Sequence, residues 1–294
     1  MNIIESITIS SAMVLVNTAV NADADYNPGT NYPLDQKCTY NGYIYISLQN
    51  ANLGHEPGIT ASVAWWALIG VSNKNAMFDS SVSTTTKKAD SFTVTIAATH
   101  VDSLTLPYVS GSEVIVNVTK NAVSIYNKVI DLRDSSMITG WRKYWFGDRG
   151  LKHAIALTDL PPMPGVEISV TVNYPLNIAE IGMIQIGQYI DVGLESYGLK
   201  REIIDYSVPT FDKFGILTID KQKYSKKYST NLVIDNRTFD LITEKLDSLA
   251  SKPVVCLGGN GLYQSLIVFG LISYSVDLRT FNQSYMTIEV KGLV

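Results

Sequence analysis

Charge is scarce in this 294-residue chain: Asp, Glu, Lys and Arg make up 17% of it, against a usual quarter. The formal net charge of -4 supplies no basic field for a nucleic-acid backbone, so no nucleic-acid partner is expected. Cysteine is nearly absent. Cys38 and Cys256 could join distant parts of the chain, but two cysteines do not make a disulfide-stapled secreted framework; two free thiols in a reducing compartment are expected. Histidine is equally thin. His55, His100 and His153 are isolated from one another and fall in no zinc pattern or HExxH motif. There is no G-x-S-x-G elbow, and the glycine loop Gly258–Gly261 lacks the Lys-Ser/Thr of a phosphate-binding loop, so it reads as a β-turn. Asp23 and Asp25, like Asp131 and Asp134, are too sparse for a calcium loop. Asp205, Asp212, Asp235 and Asp240 are scattered acids rather than a pair set to cleave a glycosidic bond. The expectation is a protein that is not an enzyme and has no cofactor and no metal.

Long hydrophobic runs are missing too. Ile7–Ala19 is moderately apolar, but Thr8, Ser10, Ser11, Asn17 and Thr18 make it too polar, and it is too short, to cross a bilayer. Ala19–Ala22 faintly resembles a signal cleavage site, yet only Glu5 is charged ahead of it and no basic segment leads in, which argues against export. Residues 1–25 are therefore expected to form an extended arm or strand, able to cross onto a neighbouring subunit and order on assembly. No membrane insertion is expected.

What the chain does have is tyrosine, 17 of them, and an apolar content of 46%. That profile suits β-sheet faces and protein contact surfaces, and the length is enough for two or three cores. Residues 26–70 read as a small aromatic β unit. Asn41-Gly42 between apolar segments is a strong hairpin signal, because both turn positions require positive φ, so Lys37–Tyr40 should pair with Tyr43–Ser47. A unit this small needs its aromatics as a miniature core. Residues 71–196 hold short alternating segments, Ser91–Ala97, Val101–Pro107, Glu113–Thr119, Ala122–Ile130, Val166–Val172 and Ile181–Ile190, which predict a β-sandwich or jelly roll. Residues 197–294 predict an α+β unit. Its strands are Ile203–Tyr206, Gly215–Ile219, Thr230–Ile234, Val254–Leu257, Leu266–Asp277 and Tyr285–Val290. Its helix is Phe239–Ala250, apolar on one face through Leu241, Ile242, Leu246 and Leu249, and stopped by Pro253. The lysine-rich stretch Lys221–Lys227 reads as a solvated loop or strand edge. The expected fold is thus mainly β and multidomain.

The candidate contact residues are aromatic. Trp65 and Trp66 are adjacent, so on a strand they face opposite sides, one for the core and one for a sugar ring or partner. Tyr32, Tyr43 and Tyr45 carry the same two readings, with Tyr43 and Tyr45 on one face. Trp141, Tyr144 and Trp145, followed by Phe146 and Arg149, form a second cluster. It reads either as an interface anchor or as a loop folded over the edge of the sandwich.

On these residues the chain resembles structural proteins of tailed-bacteriophage virions. Tyr26–Tyr45 with Trp65 and Trp66 is similar to the small chitin-binding or cellulose-binding modules attached to such proteins, in which aromatics form a sugar platform. Carried over, that platform falls on Tyr45, Trp65 and Trp66. Asn75–Asp79, Leu157–Pro161, Ile184–Gly187, Asp191–Gly193, Tyr197-Gly198, Ile204–Ser207, Asp212–Gly215 and Ile288–Leu293 resemble landmarks of the tail-protein family, so the resemblance spans residues 26–294. It implies a galactose-binding-type jelly roll in the middle unit. It also implies a non-enzymatic component of tail, baseplate or collar, assembled in the host cytoplasm and located in the tail region of the virion. Other virion proteins and further copies in a symmetric assembly are the implied partners. The alternative is a receptor-binding protein that takes a host-surface polysaccharide on exposed aromatics.

Overall fold

The computed structural model describes residues 1–135, 138–147, 150–261, 263–278 and 280–293, with the side chain of Asn260 left aside. The architecture is mainly β and multidomain, with several sheets and few helices. Among the described residues one large sheet gathers 14 strands, beside a three-stranded sheet and two separate two-stranded ribbons.

The backbone of the large sheet is a single strand, Val166–Asp191. Two strands were expected here, Val166–Val172 and Ile181–Ile190. The chain instead continues through an irregularity between Tyr174 and Ile178, where Leu176 takes a positive φ of 64° and its N–H donates to Asp90 Oδ1 at 2.9 Å. That local bond lets one strand bend and serve several partners in turn. Its first half pairs with Asp90–Ala98 on one edge and Glu113–Thr119 on the other. Its second half pairs with Ser103–Ser110 and then with the N-terminal strand Asn2–Ser6. Alternation along these strands sends Phe92, Val94, Ile96, Val114, Val116, Val118, Ile168 and Val170 into the first core.

Asn2–Ser6 has both edges occupied. It pairs antiparallel with Gly187–Asp191 on one side and with Val255–Leu257 on the other. Residues 1–25, expected as an arm free to reach a neighbour, therefore begin as a strand inside this chain's own sheet. Ile3 and Ile4 are fully buried because the strand's two faces both meet packed layers. Ile3 joins a core with Tyr228, Leu246 and Ile288, while Ile4 joins Met183, Val255 and Phe269. The strand Val14–Asn17 then adds to the edge of Thr86–Ala98.

In the C-terminal part, Val254–Leu257, Ile267–Asp277, Gln283–Gly292 and Tyr224–Asp235 pair in that order, and Lys200–Asp205 closes the outer edge. The helix Phe239–Ser248 lays Ile242 and Leu246 on this sheet, and Leu249 just beyond it is buried as well. Leu241, placed on the apolar face by its spacing, is 72% exposed instead. The expected strand Gly215–Ile219 does not enter the sheet. It forms, as Leu217–Asp220, a separate ribbon with Val208–Phe211.

Candidate functional site

The small aromatic unit is built as its turn chemistry dictates. Lys37–Tyr40 pairs with Tyr43–Ser47 across Asn41 and Gly42, whose φ values of 48° and 83° are both positive. Trp66–Val71 adds the third strand. Cys38, Tyr32 and Trp66 make the core, with Tyr26, Tyr45 and Trp65 packed around it. Tyr26 stacks on Tyr32 at 5.8 Å, and Trp66 meets both rings edge to face at 6.1 Å and 5.1 Å. The Trp66 indole N–H donates to the His55 carbonyl at 2.7 Å, and the Tyr32 hydroxyl accepts from Asn27 N–H at 2.8 Å.

Tyr32 and Trp66 thus do not lie on the contact surface anticipated for them. Both are buried, because a unit of this size can only form a core from its own rings. Trp65 is half-buried and stacks flat on the His55 ring at 3.9 Å, which covers one of its faces. Tyr45 is half-buried, its hydroxyl lying close over Gly58, whereas Tyr43 is exposed. The outward side of the unit carries aliphatic groups instead: Leu48, Leu53, Val63, Leu68 and Ile69.

Trp141–Phe146 is a six-residue α-helix with no buried residue. The reading of this segment as a loop closed over the sandwich edge fails on that exposure. Trp141, Tyr144 and Trp145 form a continuous ring patch, with centroids 5.3 to 6.1 Å apart, and Phe146 extends it. Arg149 lies outside the described residues.

The ribbon Val208–Phe211 with Leu217–Asp220 is exposed on both faces. Asp212 shapes its tip by accepting from the N–H groups of Phe214 and Ile216 at 2.8 and 2.9 Å, with Gly215 at a φ of 76°. Phe211 and Phe214 are 71% and 87% exposed, and Val208, Ile216, Leu217 and Ile219 are exposed with them.

At the base of the ribbon opens a cavity of about 700 Å³ between the middle and C-terminal parts. One wall holds Tyr108 and His153, whose rings lie nearly parallel at 5.7 Å. His153 N–H donates to Gln264 Oε1 at 2.9 Å, tying that wall to the opposite one. The other wall carries Arg201, Lys223 and Lys226, and the floor is Ile267, Val268, Phe269 and Leu293. No Asp or Glu lines the cavity among the described residues. Burial, and then the nearby Arg201 guanidinium, push the Lys226 ammonium below its ordinary value. Burial, followed by Glu180, pushes the Tyr108 hydroxyl up.

Comparison with protein-family models, curated proteins and solved structures finds no match.

Among the described residues no three His, Cys, Asp or Glu side chains form a group that could hold a metal, and no helix is long and apolar enough to cross a membrane. Two features escape a linear reading. The ribbon gathers Pro209, Phe211, Leu217 and Ile219 on one face and Thr210, Thr218 and Asp220 with Val208 on the other, a sorting that only its pairing register reveals. The cavity takes its cations from Arg201 and from Lys223 and Lys226, which are brought together by the pairing of Lys200–Asp205 with Tyr224–Ser229.

Proposed function

We propose that this chain is a non-enzymatic structural component of a tailed-phage virion, in the tail, baseplate or collar. In this reading it is present in several copies and anchors other tail proteins through its β surfaces. The middle unit acts as a galactose-binding-type jelly roll used for assembly, and residues 26–70 as a small module of the chitin-binding or cellulose-binding type.

The observation that carries this reading is the bare ribbon Val208–Asp220. A two-stranded hairpin alone is marginally stable in water, and one that leaves Pro209, Phe211, Leu217 and Ile219 bare on one face gains stability when that face is covered. The aromatic helix Trp141–Phe146 supports the same reading, since Trp and Tyr are the residues that dominate protein–protein hot spots. What weighs against the host-polysaccharide alternative is the inward packing of Tyr26, Tyr32 and Trp66, whose ring faces meet one another.

The test is made on particles. Purified virions are expected to contain the chain in fixed stoichiometry by mass spectrometry, with immunogold label at one place on the tail. Its absence from purified particles overturns the reading.

A further inference from the structure

The strand Val123–Asp131 is paired along one edge alone, with Glu113–Lys120. No strand lies along its other edge among the described residues. Glu113–Lys120, Val166–Asp191, Asn2–Ser6, Val254–Leu257 and Ile267–Asp277 all stand between it and Gln283–Gly292, so the opening is remote from the last strand described. Sheets usually blunt such edges with brevity, charge or proline. Elsewhere this sheet does so: Val14–Asn17 and Ile155–Leu157 are short, and Lys200–Asp205 bears Lys200, Arg201, Glu202 and Asp205. Val123–Asp131 has nine residues and no proline. Its lysine is tied back, since Lys128 Nζ donates to Asp159 Oδ2 at 2.9 Å on the row that it shares with the core-packed Tyr126 and Ile130.

A bulge at Ile125 bends the first residues of the strand and leaves Tyr126–Asp131 in unbroken register. The outward row of that regular part reads Asn127, Val129, Asp131, all exposed. Val129 is 59% exposed and pairs with the half-buried Ile115 on its own sheet. This row is its own complement. An antiparallel copy turned about a two-fold axis at Val129 sets Val129 against Val129 and, twice over, Asn127 against Asp131. The two Ile115–Val129 pairs then join into one apolar stripe, and each Asn127 amide meets a carboxylate.

We propose that this edge joins two copies of the chain, Asn127–Asp131 pairing antiparallel with the same segment of a second copy about a two-fold axis. The contact is isologous and therefore closes at two copies. Backbone pairing continues the sheet from one copy into the next, the apolar stripe excludes water at the axis, and the two amide–carboxylate bonds fix the register. Lys128 keeps Asp159, so neither charge loses its partner. The inference stands on this strand alone and needs no virion, so it and the assembly role can fail separately.

The experiment is sedimentation equilibrium of the full chain over a range of concentrations, with circular dichroism as the check on folding. The wild type is expected to approach twice the mass of the chain. Val129→Lys sets two cations against each other on the axis and should raise the dissociation constant by about tenfold or more. Asn127→Asp faces the Asp131 carboxylate of the other copy and should weaken the dimer as well, whereas Asn127→Lys gives that carboxylate a cation and should preserve it. Antiparallel partners lie about 4.5–5.5 Å apart at Cα, within reach of a disulfide. Val129→Cys should therefore cross-link two copies on mild oxidation, the native thiols being buried. A wild type that stays monomeric up to about 0.1 mM would overturn the proposal and leave the edge to a different protein. Dimerisation of Val129→Lys at the wild-type concentration would overturn it too, as would equal effects of Asn127→Asp and Asn127→Lys.

Discussion

The Trp66 indole N–H donates to the carbonyl of His55 at 2.7 Å, so one tryptophan of the adjacent pair holds the loop on which the other stacks. Truncating Trp66 therefore removes both a core ring and a loop anchor. Trp66→Ala should cost roughly 3–5 kcal/mol and unfold the small unit. Trp65→Ala, at a half-buried position, should leave it folded. Near-ultraviolet circular dichroism with urea titration separates the two. Sugar-binding assays are interpretable with Trp65→Ala and Tyr43→Ala but not with Trp66→Ala.

The N-terminal strand should govern the stability of the whole sheet. Ile3 is fully buried with both strand edges paired, so Ile3→Asp places a charge where no partner exists and should cost on the order of 4 kcal/mol. Hydrogen exchange should show the amides of Val254–Leu257 and Gly187–Asp191 losing protection together. Unchanged protection in the variant would mean that the strand is dispensable.

Surface substitutions on the ribbon should behave in the opposite way. Phe211→Ser combined with Phe214→Ser removes exposed rings, so the midpoint of urea unfolding should shift by no more than about 0.5 kcal/mol in stability. Incorporation into particles, measured by immunoblot of purified virions, should drop sharply. A variant that incorporates like the wild type would show that the ribbon is not an assembly surface.

Acid should release one tether between a loop and the strand Val123–Asp131. Asp159 accepts from Tyr126 and Lys128, each at 2.9 Å. Burial works against its charge, but the bonds from Lys128 and Tyr126 together outweigh it and hold the carboxyl below its ordinary value of 3.8. A carboxyl lowered on folding contributes stability that is present above its unfolded value and lost as pH falls through the folded one. Asp159→Asn should thus cost up to about 1 kcal/mol at neutral pH, after allowance for solvent screening of a half-exposed pair. Its denaturation midpoint should converge on that of the wild type as pH drops below 3.8.

Neither thiol should react in the native protein. Burial pushes Cys256 up to about 12 and Cys38 up to about 11, with Asp23 adding to the latter. Both side chains are buried and free, one in the core of the small unit and one on the strand Val254–Leu257 of the C-terminal sheet. Intact-mass measurement after iodoacetamide at pH 8 should show no adduct in buffer and two in urea.

Local chemistry was the legible part. Asn41 and Gly42 announce their hairpin because two positive φ values are a demand that few other residue pairs satisfy. The helix at Phe239 shows in its spacing, up to the exposed Leu241. The unity of Val166–Asp191 was not legible, since the bond from Leu176 to Asp90 that carries the strand through its irregularity spans 86 positions. The double pairing of Asn2–Ser6 is likewise set by residues as distant in sequence as Asp191 and Leu257. Among the candidate contacts, Trp141 and Trp145 reach the surface, whereas Tyr32 and Trp66 are taken by the core; composition alone does not separate the two.

Seating Asn2–Ser6 between Gly187–Asp191 and Val255–Leu257 also sets a schedule for biosynthesis. These residues leave the ribosome well ahead of partners synthesised some 250 positions later, a delay of roughly 10–50 s at ordinary elongation rates. Throughout that interval Ile3 and Ile4 have no finished shelter. Nascent chains should therefore be captured by chaperones through this segment, and stalling translation before Val255 should leave it open to protease.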